Sequence, residues 1–157
     1  GELTDEVFLQ VARKSCVAAK SPLNVCVFLM NQKKISGVGN YILAEGLHKA
    51  NVDPWATLDE IDDLTLISLI RQLRETAMRS FDAQGLTRQK GGSYRSLSGS
   101  SGKFEFELMV YGRSETPSNE PVYKVIDGPH KRAIHFTMSQ ISPERWEYVA
   151  ERAGLSK

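Results

Sequence analysis

Between two helical patterns, the stretch NQKKISGVGNYILAEGLHKANVDP at residues 31–54 sets Gly37-Val38-Gly39 directly before Asn40. One glycine is enough to turn a chain. Two of them, spaced by valine, remove side chains at the very point where a helix begins, so the unpaired N–H groups of its first turn are left open to close approach. A bulky anion such as a phosphate fits that description. Asn40 is expected to cap the helix with its side-chain oxygen while keeping its amide free to donate. A Gly-x-Gly turn before a capped helix is also ordinary punctuation, and spacing alone leaves both readings open. The third glycine of a dinucleotide fingerprint and the Gly-Lys-Ser/Thr of a phosphate-binding P-loop are both missing.

The surrounding periodicity predicts a mainly helical chain. TDEVFLQVARKS has a capping Thr4, two acids in its first turn, a stripe of Val7, Phe8 and Val11, and a closing Arg13-Lys14 pair. PLNVCVFLMNQ is too apolar for a surface helix and reads as a buried one of about two turns. Tyr41, Ile42, Ala44, Leu47 and Ala50 recur at helical spacing, and a third pattern runs from Asp62 as N-cap through Leu66, Leu69, Ile70, Leu73 and Ala77 to Phe81. From Asp82 to Lys103 the composition turns abruptly to Gly, Ser, Arg and Lys, which reads as a long loop. KFEFELMVYGR suits a strand by alternation or a helix by the spacing of Phe104, Leu108 and Tyr111. VYKVIDGPHKRAIHF reads as a β-hairpin around Asp-Gly-Pro, and Ser142-Pro143-Glu144 opens a last helix through Trp146 and Val149 that stops at Gly154.

Bulk properties narrow the class. With 157 residues, 41% of them hydrophobic, the chain suits one compact domain or half of a larger enzyme. No apolar run approaches a membrane span of roughly 20 residues, and the opening is acidic, so a soluble, intracellular protein is expected, nuclear if the source is eukaryotic. Cys16 and Cys26 lack metal-site spacing and read as buried free thiols. Residues 1–70 hold 6 Lys and Arg against 9 Asp and Glu, whereas residues 71–140 hold 11 against 7, which makes the later part the better surface for an anionic ligand.

FLMNQKKISGVGNYILAEGLHKANVDPW closely resembles the helix-two-turns-helix segment of the formamidopyrimidine-DNA glycosylase/endonuclease VIII family, with Asn31 for the family's Asp, then Gln32, then Gly37-Val38-Gly39-Asn40. GGSYRSLSGSSGKFEFELMVYGR is similar to the family's glycine-rich lesion-facing loop and Val-Tyr-Gly-Arg block, and KRAIHFTMSQ to the second half of its finger hairpin, all in the family's order. The resemblance implies a helix-two-turns-helix bundle over 1–90, a lesion-facing loop over 91–103 that includes Gly91, Gly92, Ser93, Tyr94 and Arg95, a finger region over 104–141, and a C-terminal helix over 142–157. It further implies that Gly37, Gly39, Asn40 and Arg132 hold phosphates around an everted nucleotide, with Tyr111 adding a hydroxyl. The partner so implied is double-stranded DNA with an oxidised base or an abasic site, bound by a monomer, with no membrane involved.

Two departures from the family pattern matter. No cysteine lies between Tyr111 and Gln140, and His130 with His135 make a poor zinc site, so no metal or other cofactor is expected. This resembles the family's zincless finger, with Tyr123, Val125, Ile134 and Phe136 supplying packing in place of the ion. The family's N-terminal catalytic domain, with its Pro-Glu start, finds no counterpart ahead of the first helix, so catalytic residues are not identified and this chain alone is expected to be inactive. The expectation is therefore the DNA-binding half of a base-excision-repair glycosylase and abasic-site lyase acting on oxidised bases. The alternative is a stand-alone, non-enzymatic module for damaged or kinked DNA.

Overall fold

The computed structural model describes residues 4–31, 39–89 and 107–155. Gly37 and the loop residues Gly91, Gly92, Ser93, Tyr94 and Arg95 lie outside them. The order is α1 (Asp5–Ala18), α2 (Val25–Met30), α3 (Asn40–Lys49), α4 (Asp63–Gln89), β1 (Tyr123–Val125), β2 (Ile134–Phe136) and α5 (Trp146–Arg152), with short 3₁₀ turns before α4, after β2 and before α5. This is the expected mainly helical class with one small antiparallel hairpin.

Local caps set most helix starts. Thr4 Oγ1 accepts from Val7 N at 3.2 Å to open α1. Asn24 Oδ1 accepts from Cys26 N and Val27 N at 2.8 and 3.1 Å to open α2, while its Nδ2 donates to Pro54 O at 3.0 Å. Asp62 Oδ1 accepts from Thr65 N at 2.7 Å ahead of α4, as the sequence predicts. At the far end of α3, Asn51 takes the left-handed conformation, φ 55°, and Val52 N returns to Leu47 O at 2.8 Å.

Several expectations need correction. The helix α1 runs past Arg13-Lys14 to Ala18 with no basic residue in its last turn, and its buried stripe is Phe8 and Ala12 while Val7 faces solvent. Arg13 is freed from the helix end because its guanidinium reaches Leu58 O at 2.8 Å, Ile61 O at 2.6 Å and Asp63, pinning α1 to the 3₁₀ turn before α4. Cys16 is half-buried; only Cys26 is fully enclosed, with Sγ 3.3 Å from Pro54 O. Residues 82–89, read as loop, extend α4. Phe81 is 74% exposed. At 27 residues α4 is much longer than the 10-residue α3 that it crosses.

The core lies where α3 crosses α4. Leu43 and Leu47 meet Leu66, Leu69, Ile70 and Leu73 in one buried cluster that also takes in Ile134 and Phe136. Gly46 permits the close approach: a Cβ there would stand 2.5 Å from Leu73 Cδ2. Gly46→Ala is therefore expected to overpack the crossing and lower stability by about 1–2 kcal/mol, despite alanine's better helix propensity. A urea titration of the variant checks this; a gain in stability would show that Leu73 moves aside freely.

In the hairpin, Tyr123, Lys124 and Val125 face Phe136, His135 and Ile134. The turn is not a tight Asp-Gly-Pro one but a longer connection, closed by Gly128 N donating to Arg132 O at 2.9 Å, with Lys131 at φ 62°. A Cβ on Gly128 would lie 2.6 Å from that same Arg132 oxygen. Below β2, Thr137 N donates to Gln140 Oε1 at 2.9 Å and Gln140 Nε2 donates to Val52 O at 2.9 Å, joining the hairpin base to the end of α3. Asp53 continues the joint, accepting from Ser142 N and Oγ at 3.1 and 2.9 Å. Phe136 sets its ring against Trp55 with centroids 5.2 Å apart.

Candidate nucleic-acid interface

Helix α3 begins without a side-chain cap. Its N-cap is Gly39, in extended backbone, and a Cβ built on Gly39 would meet none of the described residues within 4 Å. The glycine there leaves space beside the first turn, whose N–H groups have no intrahelical acceptor. Asn40 does not cap the helix, as the sequence had suggested, but is its first residue. Its carboxamide is taken by the hairpin instead: Nδ2 donates to Ala133 O at 2.6 Å, and Oδ1 lies 2.8 Å from His130 Nε2. Because the nitrogen end is committed to a carbonyl, the oxygen end faces the imidazole, and Nε2–H is the donor. One amide hydrogen of Asn40 remains to be used.

That pairing places a proton on His130 Nε2. His130 Nδ1 is buried with no hydrogen-bond partner among the described residues, as is His135 Nδ1. Burial first, and then the Arg132 charge, push the His130 pKa below its usual value of 6.5. Burial likewise lowers His135, helped by Lys124 and opposed by Glu45. The folded environment therefore favours the neutral ring at both positions. Below pH 6.5 the unfolded chain takes up protons that the folded chain refuses, so this contribution is whole above 6.5 and is lost as pH falls. The urea midpoint is expected to be lower at pH 5.5 than at 7.5, and a His130→Gln/His135→Gln variant should show a flatter profile. An unchanged slope in that variant would show that other groups carry the dependence.

Arg132 stands in the same hairpin connection, exposed, with no hydrogen bond or ion pair from its guanidinium among the described residues. Its backbone is nevertheless held by Gly128. A free guanidinium on a fixed stem, beside an uncapped helix start, can receive a phosphate in its fork. Tyr111 is half-buried, its ring 4.9 Å from His135 and 5.8 Å from Tyr41 between centroids. Tyr41 is the residue after Asn40 and shares a hydrogen bond with Ser80. The structure therefore brings Gly39, Asn40 and the Arg132 connection together and joins Tyr111 to them through an aromatic row. Among the described residues no group of three or more His, Cys, Asp or Glu is placed to hold a metal ion.

One residue escaped the sequence reading. Glu45 is fully buried in α3, and its carboxylate accepts from Met109 N, Val110 N and Tyr111 N at 2.7, 2.8 and 3.0 Å. The signal was present, since an acid lies among Ile42, Leu43, Gly46 and Leu47 on the buried face. Residues 107–113 are consequently neither strand nor helix.

The solved structures carry this same arrangement of elements. A crystal structure of a viral DNA glycosylase matches with a TM-score of 0.66 at 20% identity, covering 85% of this chain and 45% of that one. A complex between the formamidopyrimidine-DNA glycosylase of Lactococcus lactis and abasic-site DNA matches with a TM-score of 0.64 at 20% identity, covering 88% and 48%. At the sequence level, the formamidopyrimidine-DNA glycosylase of Deinococcus radiodurans is 34% identical over 113 residues, 69% of this chain and 39% of the relative. That of Bacillus subtilis is 30% identical over 121 residues, 75% and 42%. The chain belongs to the formamidopyrimidine-DNA glycosylase/endonuclease VIII family. It corresponds to the family's C-terminal domain, with a helix-two-turns-helix and a zincless finger. No family model matches it. The chain spans less than half the length of these glycosylase relatives.

Proposed function

We propose that this glycosylase-family domain grips the phosphates of duplex DNA on either side of a displaced nucleotide, serving a base-excision-repair glycosylase and abasic-site lyase that acts on oxidised bases. The observation that carries the reading is the uncapped start of α3 held beside Arg132 by the Asn40–His130–Ala133 bonds. Phosphate contacts of this kind position a duplex without reading its sequence. They suit a protein that meets damage anywhere, since removing a base requires extruding it from the stack. The abasic-site DNA held by the Lactococcus lactis relative supports the same partner.

A fluorescence-anisotropy titration with a duplex holding a stable abasic-site analogue, beside the intact duplex at equal salt, tests the proposal. Tighter binding to the analogue is expected, with an affinity that falls with salt by a log–log slope of roughly 0.9 per clamped phosphate. Equal binding to both duplexes, or none, would overturn it.

His130 supplies a finer check. His130→Phe keeps a planar aromatic ring and removes the Nε2–H that orients Asn40. Loss of one neutral hydrogen bond corresponds to about threefold in affinity for the analogue duplex. An affinity unchanged by the substitution would show that Asn40 needs no orientation by the finger.

A further inference from the structure

Three consecutive backbone N–H groups converging on one point form a concavity of the sort that binds anions. At Met109, Val110 and Tyr111 the occupant is the protein's own Glu45 carboxylate. A buried carboxylate is costly unless charge-assisted hydrogen bonds meet it, and here three do, from a segment that has no strand or helix to hold it. Val110 is fully buried and Arg113 N donates back to Val110 O at 3.1 Å, so the segment turns tightly around the anchor. The last of the three donors belongs to Tyr111, whose ring then lies between Tyr41 and His135 while its hydroxyl has no partner among the described residues. Asn40 and Glu45 are on one helix. The same rigid element thus carries Asn40, bonded to the finger, and, five residues on, the anchor for the tyrosine.

We infer that Glu45 is a positioning residue for DNA: by gathering the Met109, Val110 and Tyr111 amides, it fixes the Tyr111 hydroxyl at the phosphate clamp. This rests on the DNA-gripping function proposed above. It would act wholly through the protein, since its carboxylate is out of contact with solvent.

The test has two independent arms, both on the 157-residue chain. In amide hydrogen exchange, the Met109, Val110 and Tyr111 amides are expected to be protected as strongly as those in the middle of α3. Free exchange at all three would overturn the anchor whatever the DNA measurements give. The second arm is a double-mutant cycle with Glu45→Gln and Tyr111→Phe, read as affinity for the abasic-analogue duplex well below either variant's melting temperature. Each single variant should lose about threefold to tenfold, and the double variant should lose no more than the weaker of the two, because Glu45 acts through the hydroxyl that Tyr111→Phe removes. Losses that multiply would assign Glu45 a structural role only and overturn the inference. Should Glu45→Gln not fold, Glu45→Asp, which keeps the charge and shortens the reach, takes its place in the cycle with the same two outcomes. Failure of the wild-type chain to discriminate the lesion duplex would sink the DNA-gripping function, while intact protection of the three amides would still show the anchor.

Discussion

Replacing Phe136 by alanine is expected to lower the unfolding free energy by about 3–5 kcal/mol, the usual cost of emptying a core site of an aromatic ring. The ring is fully buried, edge-on to Trp55 at 5.2 Å and 6.3 Å from Tyr123 between centroids. Trp55 belongs to the turn after α3 and Tyr123 to the facing strand, so one side chain ties the finger to both. A two-stranded hairpin of three-residue strands has little stability of its own. In a domain of ordinary stability the variant therefore approaches the unfolding threshold, and Tyr111, Asn40 and Arg132 lose their common frame. Urea denaturation followed by circular dichroism gives the number. A loss below about 1 kcal/mol would mean that the finger rests on its base contacts through Gln140 and Asp53 rather than on this ring.

Arg132→Ala is expected to leave stability nearly untouched and to weaken binding to the abasic-analogue duplex by about tenfold to a hundredfold. The first half follows from exposure: the guanidinium has no partner to lose among the described residues. The second follows from the worth of a hydrogen bond to a charged group, about 1.5–3 kcal/mol, when it is freshly made to a phosphate. The salt slope should fall by about 0.9 at the same time. Arg132→Lys, which keeps the charge but lacks the planar fork, should recover the slope and only part of the affinity. Unaltered affinity and slope in Arg132→Ala would remove the finger from the clamp.

How much of this was legible in the sequence depends on how far apart the partners lie. Thr4 and Asp62 cap by contacts within three residues, so their patterns could be read directly, whereas the equally local Asn24 cap was passed over in a stretch read only as a buried helix. The apolar spacing of α3 and the Pro143 start before α5 are local in the same sense. Asn40 looked like a cap because its neighbours fit one, yet its partners are Ala133 and His130, and no local rule couples a helix start to a hairpin turn. Residues 82–89 looked like loop because composition shifts there, whereas the helix continues on its own momentum. The segment 107–113 alternated well enough for a strand and repeated well enough for a helix, and a carboxylate 64 to 66 residues upstream decided for neither. Family resemblance supplied what spacing could not, namely which glycines, asparagine and arginine to watch.

The bonds of Asn40 to the finger span 90 and 93 positions of sequence, and those of Gln140 to Val52 and Ser142 to Asp53 span 88 and 89. During synthesis, then, α1 to α4 can form and pack by near-neighbour contacts while Asn40 waits. Chains are extended at about 5–20 residues per second, so the ribosome needs several seconds more to deliver its partners. Until Ala133 clears the exit tunnel the start of α3 stays unlatched. The nascent helical bundle is a folded object before its finger is attached, and the joints at Gln140 and Ser142 and the helix α5 follow the latch out of the ribosome.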